Sequence, residues 1–393
     1  MTEPFAPPRG DATAGPPAGW YADPADPARW RWWDGTTWTA HSAAPRRSRR
    51  PRLPRWLSPP VLICSILVGL ALVVVGIQSP WAVVAGLIPL VIVLPVLGWL
   101  DRVEPEPRSS RVHAVLWGGS VAIVAALIVN TIVALTVGET AAMVISAPLV
   151  EESAKALGVV WAVRRREIDS VSDGIVYAGW VALGFAVVED ISYFAIADIE
   201  GAFLETVILR AFFTPFAHPL FTFWVGLAVG RAVFHGRSIW PAMTWGLGLA
   251  VGTHALWNGT LALGDLTYSV DENLGAAVLL GGMIVFFVLF VSVAIALVIL
   301  RRREQRAFSD QVGGLVLRYG VAPHEAAMFT GWSSMLAARR KLPRRTRRDF
   351  DRVHAALARL AVLHRRPGGL DPVAERVQVD QLDQALADLR ART

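Results

Sequence analysis

Residues 59–77 read PPVLICSILVGLALVVVGI, an apolar run without a single charged side chain. Coiled as a helix, which rises about 1.5 Å per residue, this run crosses the roughly 30 Å hydrocarbon layer of a bilayer. Further apolar stretches follow near 81–100, 112–137, 139–163, 173–195, 205–234, 239–262 and 275–300, separated by Pro80, Gly138 and clusters of charge. The expectation is an all-α polytopic membrane protein with about eight transmembrane helices. Composition points the same way. Of 393 residues 54% are hydrophobic and 18% charged, whereas soluble domains run at about 45–50% and about 25%. The mean hydropathy is +0.44. Disorder and collagen-like repeats are excluded for most of the length.

Outward from this body the charge changes sign. Residues 1–58 hold nine Lys/Arg against five acids, residues 301–393 hold 19 against 10, and the middle holds 10 against 17. Basic flanks on an apolar body read as the cytoplasmic face of a membrane protein, not as a nucleic-acid binder. The turns near 78–80, 138–140, 196–204 and 263–274 carry no Lys or Arg, while the alternate turns carry clusters such as 164–166 and 301–303. Both termini are therefore expected in the cytoplasm of a multi-pass cell-membrane protein. No cleavable signal peptide is expected, because the first apolar run begins near residue 59 and others follow it. The lone Cys64, inside an apolar run, rules out an internal disulfide framework and a cysteine-built zinc site.

The chain divides into a disordered start (1–18), a tryptophan-rich mini-domain (19–41), a basic Pro/Arg linker (42–58), the transmembrane domain (59–300) and a helical cytoplasmic tail (301–393). In the mini-domain, GWYADPADPARWRWWDGTTWTAH combines Asp-Pro turns with an alternating aromatic run, and Asp34-Gly35 is a hairpin signal. A small β-rich module follows from that pattern. Its tryptophans either fill a mini-core or grip a peptide or the lipid interface. In the tail, Phe350, Val353, Leu357 and Leu360 keep helical spacing, as do Leu382, Leu386 and Leu389.

Charge inside a span costs about 2.5–3.5 kcal/mol per residue on insertion scales. Four consecutive spans bear that cost while the first, second and eighth do not. APLVEESAKALGVVW carries Glu151, Glu152 and Lys155; GFAVVEDISYF carries Glu189 and Asp190; RAFFTPFAHPLF carries Arg210 and His218; GTHALWNGT carries His254 and Asn258. Glu151 and Lys155 are i, i+4, as are His254 and Asn258, and Arg210, Thr214 and His218 form a stripe at the same spacing. Counted from the external ends, Glu151, His218, His254 and Glu189 lie within roughly 10 Å of one level. One site built by four helices is geometrically allowed. A glutamate there can deprotonate water, two histidines and a carboxylate can hold zinc, or His254 and Asn258 can donate to an oxyanion without metal. Against this stand plainer readings. A membrane histidine is often a hydrogen-bonded packing residue, Glu–Lys within one helix is often a neutralised pair, and proton-coupled transporters and sensors line their interiors with the same groups.

Over about 140–260 the sequence resembles the PrsW family of intramembrane proteases, and more distantly the CAAX prenyl proteases. The family's Glu-Glu-x-x-Lys motif falls on Glu151, Glu152 and Lys155. Its Asp-Gly and Phe-Ala-x-x-Glu motifs fall on Asp173, Gly174, Phe185 and Glu189, and its His and His-x-x-x-Asn motifs on His218, His254 and Asn258. Where the family pattern has Asn after the second-motif Glu, this chain has Asp190. The N-terminal stretch resembles a short tryptophan-rich bacterial domain of unknown function. What the family resemblance implies is a peptidase that clips a membrane-anchored protein, for example an anti-sigma factor, in site-1 fashion. Glu151, Glu152, Lys155, Glu189, His218, His254 and Asn258 are then the site, and His218, His254, Glu152 and Glu189 candidate ligands of a zinc ion. A glutamate-activated water without metal stays open beside it. The expected partners are the substrate and the lipid bilayer.

Overall fold

The structure, a computed structural model, describes residues 19–24, 26–33, 36–43, 58–102, 105–318, 321, 325, 327–329, 332–365 and 372–392. Residues 1–18, most of the 42–58 linker and the Asp34-Gly35 turn therefore lie outside the described residues. The chain forms two compact units, Met1–Pro54 and Arg55–Thr393.

The first unit is a three-stranded antiparallel sheet of order β1-β2-β3, from Gly19–Asp23, Asp26–Trp33 and Trp38–Ala43. Trp33 pairs with Trp38 in the β2–β3 ladder.

The second unit is helical. Among the described residues, α1 (Pro59–Gln78), α2 (Pro80–Leu100), α3 (Arg108–Thr136), α5 (Val171–Glu200), α6 (Phe203–Phe234) and the apolar part of α8 (Glu272–Arg318) are six helices long and apolar enough to cross a membrane. The two other expected spans, α4 (residues 139–164) and α7 (Ile239–Tyr268), are helices of comparable length. They fall short on composition alone. Glu151, Glu152 and Lys155 charge the first, and His254, Asn258 and several glycines lower the hydropathy of the second. The two helices that read least like spans are thus two that carry the polar centre.

α5 is the central element, with 83% of its most apolar window buried against 6% for the peripheral α1. Its start is fixed by a capping box: the Ser170 hydroxyl accepts the Asp173 N–H at 3.1 Å, and the Asp173 carboxylate accepts the Ser170 N–H at 2.8 Å. Just beyond it, Gly174 packs on Gly226 of α6, where a Cβ on Gly226 would sit 2.5 Å from the Gly174 carbonyl oxygen. Gly226 and Gly230 are four apart, the spacing that lets membrane helices approach to backbone contact. α3 and α4 are divided at Gly138, whose φ of 125° closes α3 and starts the next helix.

Among the described residues, three helices contain π-helical turns, at Trp117–Ala122, Ala142–Ser146 and Ile208–Phe213. The predicted Arg210, Thr214, His218 stripe is corrected here. The helix leaves regular geometry over 214–216, because Pro215 has no N–H to continue the ladder, and resumes at Ala217. Arg210 and His218 therefore belong to two pieces of α6 separated by this break.

Beyond the membrane body, α8 continues into a tail core completed by α9 (Trp332–Lys341), α10 (Arg347–Arg365) and α11 (Pro372–Arg390). Phe350, Val353, Leu357, Leu360, Leu382, Leu386 and Leu389 all enter that core, together with Phe308 of α8.

Candidate active site

α4 supplies three charged groups on successive faces of one turn. Glu152 and Lys155 are fully buried, Glu151 is 4% exposed, His254 3% and His218 8%. In a medium where an unpaired charge is costly, each must find partners inside the protein. Lys155 Nζ donates to Glu152 Oε1 at 2.9 Å, to Glu151 Oε2 at 3.4 Å and to His218 Nδ1 at 3.0 Å, and lies 3.8 Å from the centre of the Phe185 ring. An ammonium has three protons, and all three are engaged. Glu152 uses both carboxylate oxygens: Oε1 also accepts from His254 Nδ1 at 3.2 Å, and Oε2 accepts from the Thr222 hydroxyl at 2.8 Å.

A second layer is built from α5 and α6. His218 Nε2 donates to Glu189 Oε2 at 2.8 Å, and the same oxygen receives Arg210 Nη2. Arg210 Nε donates to Asp190 Oδ1 at 2.6 Å, and its guanidinium stacks 3.9 Å from the Tyr193 ring. Asp190, in the place where the family pattern has Asn, thus has a defined role as half of an Arg210 clamp. The π-helical turn Ile208–Phe213 carries Arg210 to this position.

Five of the seven expected site residues on α4, α5 and α6 (Glu151, Glu152, Lys155, Glu189 and His218) converge with His254 of α7 in one network. Asn258 is placed differently. Its amide donates to the Met143 carbonyl at 2.8 Å, on the π-helical turn of α4, so it ties α7 to α4 beside the centre. Thr222 was not singled out from sequence, although it lies one turn after His218; a threonine in a span is cheap and gives no cost signal. Phe221 was missed for the same reason, and its ring stacks on His254 at 4.5 Å.

The donor set suits a metal ion. Ligand atoms of Glu151, His218 and His254, all buried, lie within 4.8 Å of one another. Each imidazole also carries a carboxylate on one ring nitrogen, Glu152 on His254 and Glu189 on His218, which is how metal-binding histidines are oriented and made more basic. His254 Nε2 and His218 Nδ1 are then the nitrogens turned to an ion. Of the ligands expected from sequence, the two histidines stand in this group, whereas Glu152 and Glu189 stand behind them and Glu151 takes the carboxylate position.

Fold and site define a polytopic helical membrane protein with a buried carboxylate–imidazole centre. Residues 106–295 match the sequence model described as PrsW family intramembrane metalloprotease, and residues 18–51 match a protein family of unknown function (DUF2510). Over the first of these segments, just under half of its length, the chain is similar to the PrsW family. It is similar to Protease PrsW of Geobacillus kaustophilus, 33% identical over 153 residues, which is 38% of this chain and 66% of the relative. Protease PrsW of Oceanobacillus iheyensis is 36% identical over 95 residues, 24% and 42% of the two chains. That of Clostridioides difficile is 29% identical over 143, or 35% and 60%. The matches thus span from about two fifths to just under two thirds of these relatives. No solved structure matches.

Proposed function

We propose that the chain is an intramembrane endopeptidase that hydrolyses a peptide bond of a membrane-anchored protein, in site-1 fashion, with an anti-sigma factor as the type of substrate. The observation that carries the reading is the convergence of Glu151, His218 and His254 from three helices, shielded from solvent and backed by Glu152 and Glu189. The similarity to the PrsW family supports the same reading.

Glu151 is the least engaged carboxylate of the centre, held by one 3.4 Å contact to Lys155. In the metal-free form it is the group free to accept the proton of an attacking water and return it to the leaving amine; in the metal-dependent form it is a ligand of the ion. Glu152 and Glu189 do not reach the reacting atoms. They fix the tautomers and orientations of His254 and His218. Lys155 pairs with Glu152 and Arg210 with Glu189, so neither carboxylate is left without a cationic partner in the interior. Glu151, His218 and His254 would hold zinc, which when bound supplies Lewis-acid polarisation and a more acidic water. An apolar groove of about 600 Å³ lies between α4 and α7, lined by residues including Leu149, Met243, Leu247 and Val251. Val251 lies one turn before His254 on α7, and this groove is the proposed lateral approach from the lipid for an apolar substrate segment.

The test is cleavage of a single-span substrate library reconstituted with the full chain in lipid vesicles, comparing wild type with Glu151→Gln. Cleavage that is unaffected by this change, or no cleavage of any membrane-anchored substrate by correctly folded wild type, would overturn the reading. Gradient-driven solute uptake by the same vesicles would instead support a transporter.

A further inference from the structure

The expected ligand nitrogen of His218 already has a cation on it. Glu189 holds Nε2, so Nδ1 is the side left for an ion, and Lys155 Nζ stands 3.0 Å from it. The same ammonium contacts Glu151 Oε2, a second member of the ligand group. Its third proton goes to Glu152 and its remaining side faces the Phe185 ring. Lys155 therefore has four neighbours, as a tetrahedral ion would, and two of them are metal ligands.

We propose that the Lys155 ammonium and the metal ion take the Glu151–His218 side of this centre in turn, so that ion binding displaces Lys155 from both groups. A divalent ion at these donors would meet an ammonium at hydrogen-bonding range, where like charges repel strongly in a poorly screened interior. Lys155 does not need to leave the cluster to make room. Its shortest contact is to Glu152, which is not in the ligand group, and that partner stays available when the other two are given up. The Glu-Glu-x-x-Lys spacing acquires a physical meaning from this. The first glutamate belongs to the ion, the second to the lysine, and the lysine protects the empty site against collapse by satisfying all three acceptors.

This inference rests on the metal-dependent form of the function proposed above, but it is read by metal affinity, not by cleavage. The full-length chain in detergent, stripped with a chelator, is titrated with zinc against a chromophoric competitor, and with cobalt(II) followed by its ligand-field absorption. Lys155→Met should bind zinc about tenfold or more tightly than wild type, because a repelling charge has been removed. Lys155→Gln provides the same test if the methionine variant does not fold, since its amide still reaches Glu152. Adding His218→Ala and His254→Ala to either variant should abolish the gain. Equal or weaker zinc affinity in the folded Lys155 variants, a gain that survives loss of both histidines, or no zinc binding by any of these proteins would overturn the proposal. Tight zinc binding without cleavage would sink only the protease reading.

Discussion

Glu152 accepts three hydrogen bonds within the protein, whereas Glu151 has one long contact, and this asymmetry separates what their substitution does. Glu151→Gln keeps volume and removes proton acceptance, so peptide cleavage should fall about 10²–10⁴-fold with little change in unfolding temperature. Glu152→Ala strands Lys155, His254 and Thr222 together. Loss of one partner of a buried charge pair costs about 3–5 kcal/mol, so this variant should show a lowered thermal midpoint in detergent and weaker expression. A normal midpoint for Glu152→Ala would contradict the network. The charged residues of this centre were legible in sequence because the bilayer makes each of them conspicuous. Their hierarchy was not. Spacing along one helix places Glu151 and Glu152 almost equivalently, and only the positions of His254, Thr222 and Lys155 tell ligand from support. The Asn258 contact with Met143 was equally invisible, since a carbonyl released by a π-helical turn leaves no sequence signature.

At the level of helices, α5 and α6 carry the Glu189–His218 pair, and their spacing is set by glycine backbones at the opposite end of the crossing. Gly226→Leu would force the helices apart, at about 1–3 kcal/mol if the core yields as a soluble core does. Because His218 lies two turns before Gly226 on the same helix, cleavage activity should fall with stability. Gly248→Ala on α7 is the control. Nothing lies within 4 Å of a Cβ there, so stability should be unchanged. Differential scanning fluorimetry of both variants distinguishes a local crossing defect from a general intolerance of added side chains. Eight apolar stretches were readable as helices because their length alone pays for spanning. The break at 214–216 was not read, although Pro215 announces it, because the polar stripe at helical spacing suggested continuity. The tail helices were readable from periodicity, since Phe350, Val353, Leu357 and Leu360 recur on one face.

For the molecule as a whole, the charge asymmetry of the turns predicts an orientation with both termini in the cytoplasm. Reporter fusions at Arg165 and Arg302 should give a cytoplasmic signal, and fusions at Gly201 and Glu272 an external one. An external signal at Arg165 would reverse every later span. The tail offers a separate check through His354, which lies against Phe308 and Phe329. Burial pushes its imidazole from the ordinary 6.5 down to about 4. The folded tail therefore binds this proton less readily than the unfolded one, and stability present above pH 6.5 is lost as pH falls towards 4, by about 2 kcal/mol at pH 5. Hydrogen exchange of α10 in the full chain, compared at pH 7 and pH 5, should show this loss, and His354→Phe should remove it. The buried centre, finally, has a consequence for the kind of ion the fold can accept. Its six formally charged side chains are Glu151, Glu152, Glu189 and Asp190 against Lys155 and Arg210, which leaves two negative charges in excess when both imidazoles are neutral. A monovalent ion leaves one of these uncompensated and a trivalent ion overshoots. With all four carboxylates ionised, a divalent ion would bring the interior to electrical neutrality, so an ion held here would be selected by valence before coordination geometry discriminates among the divalent metals.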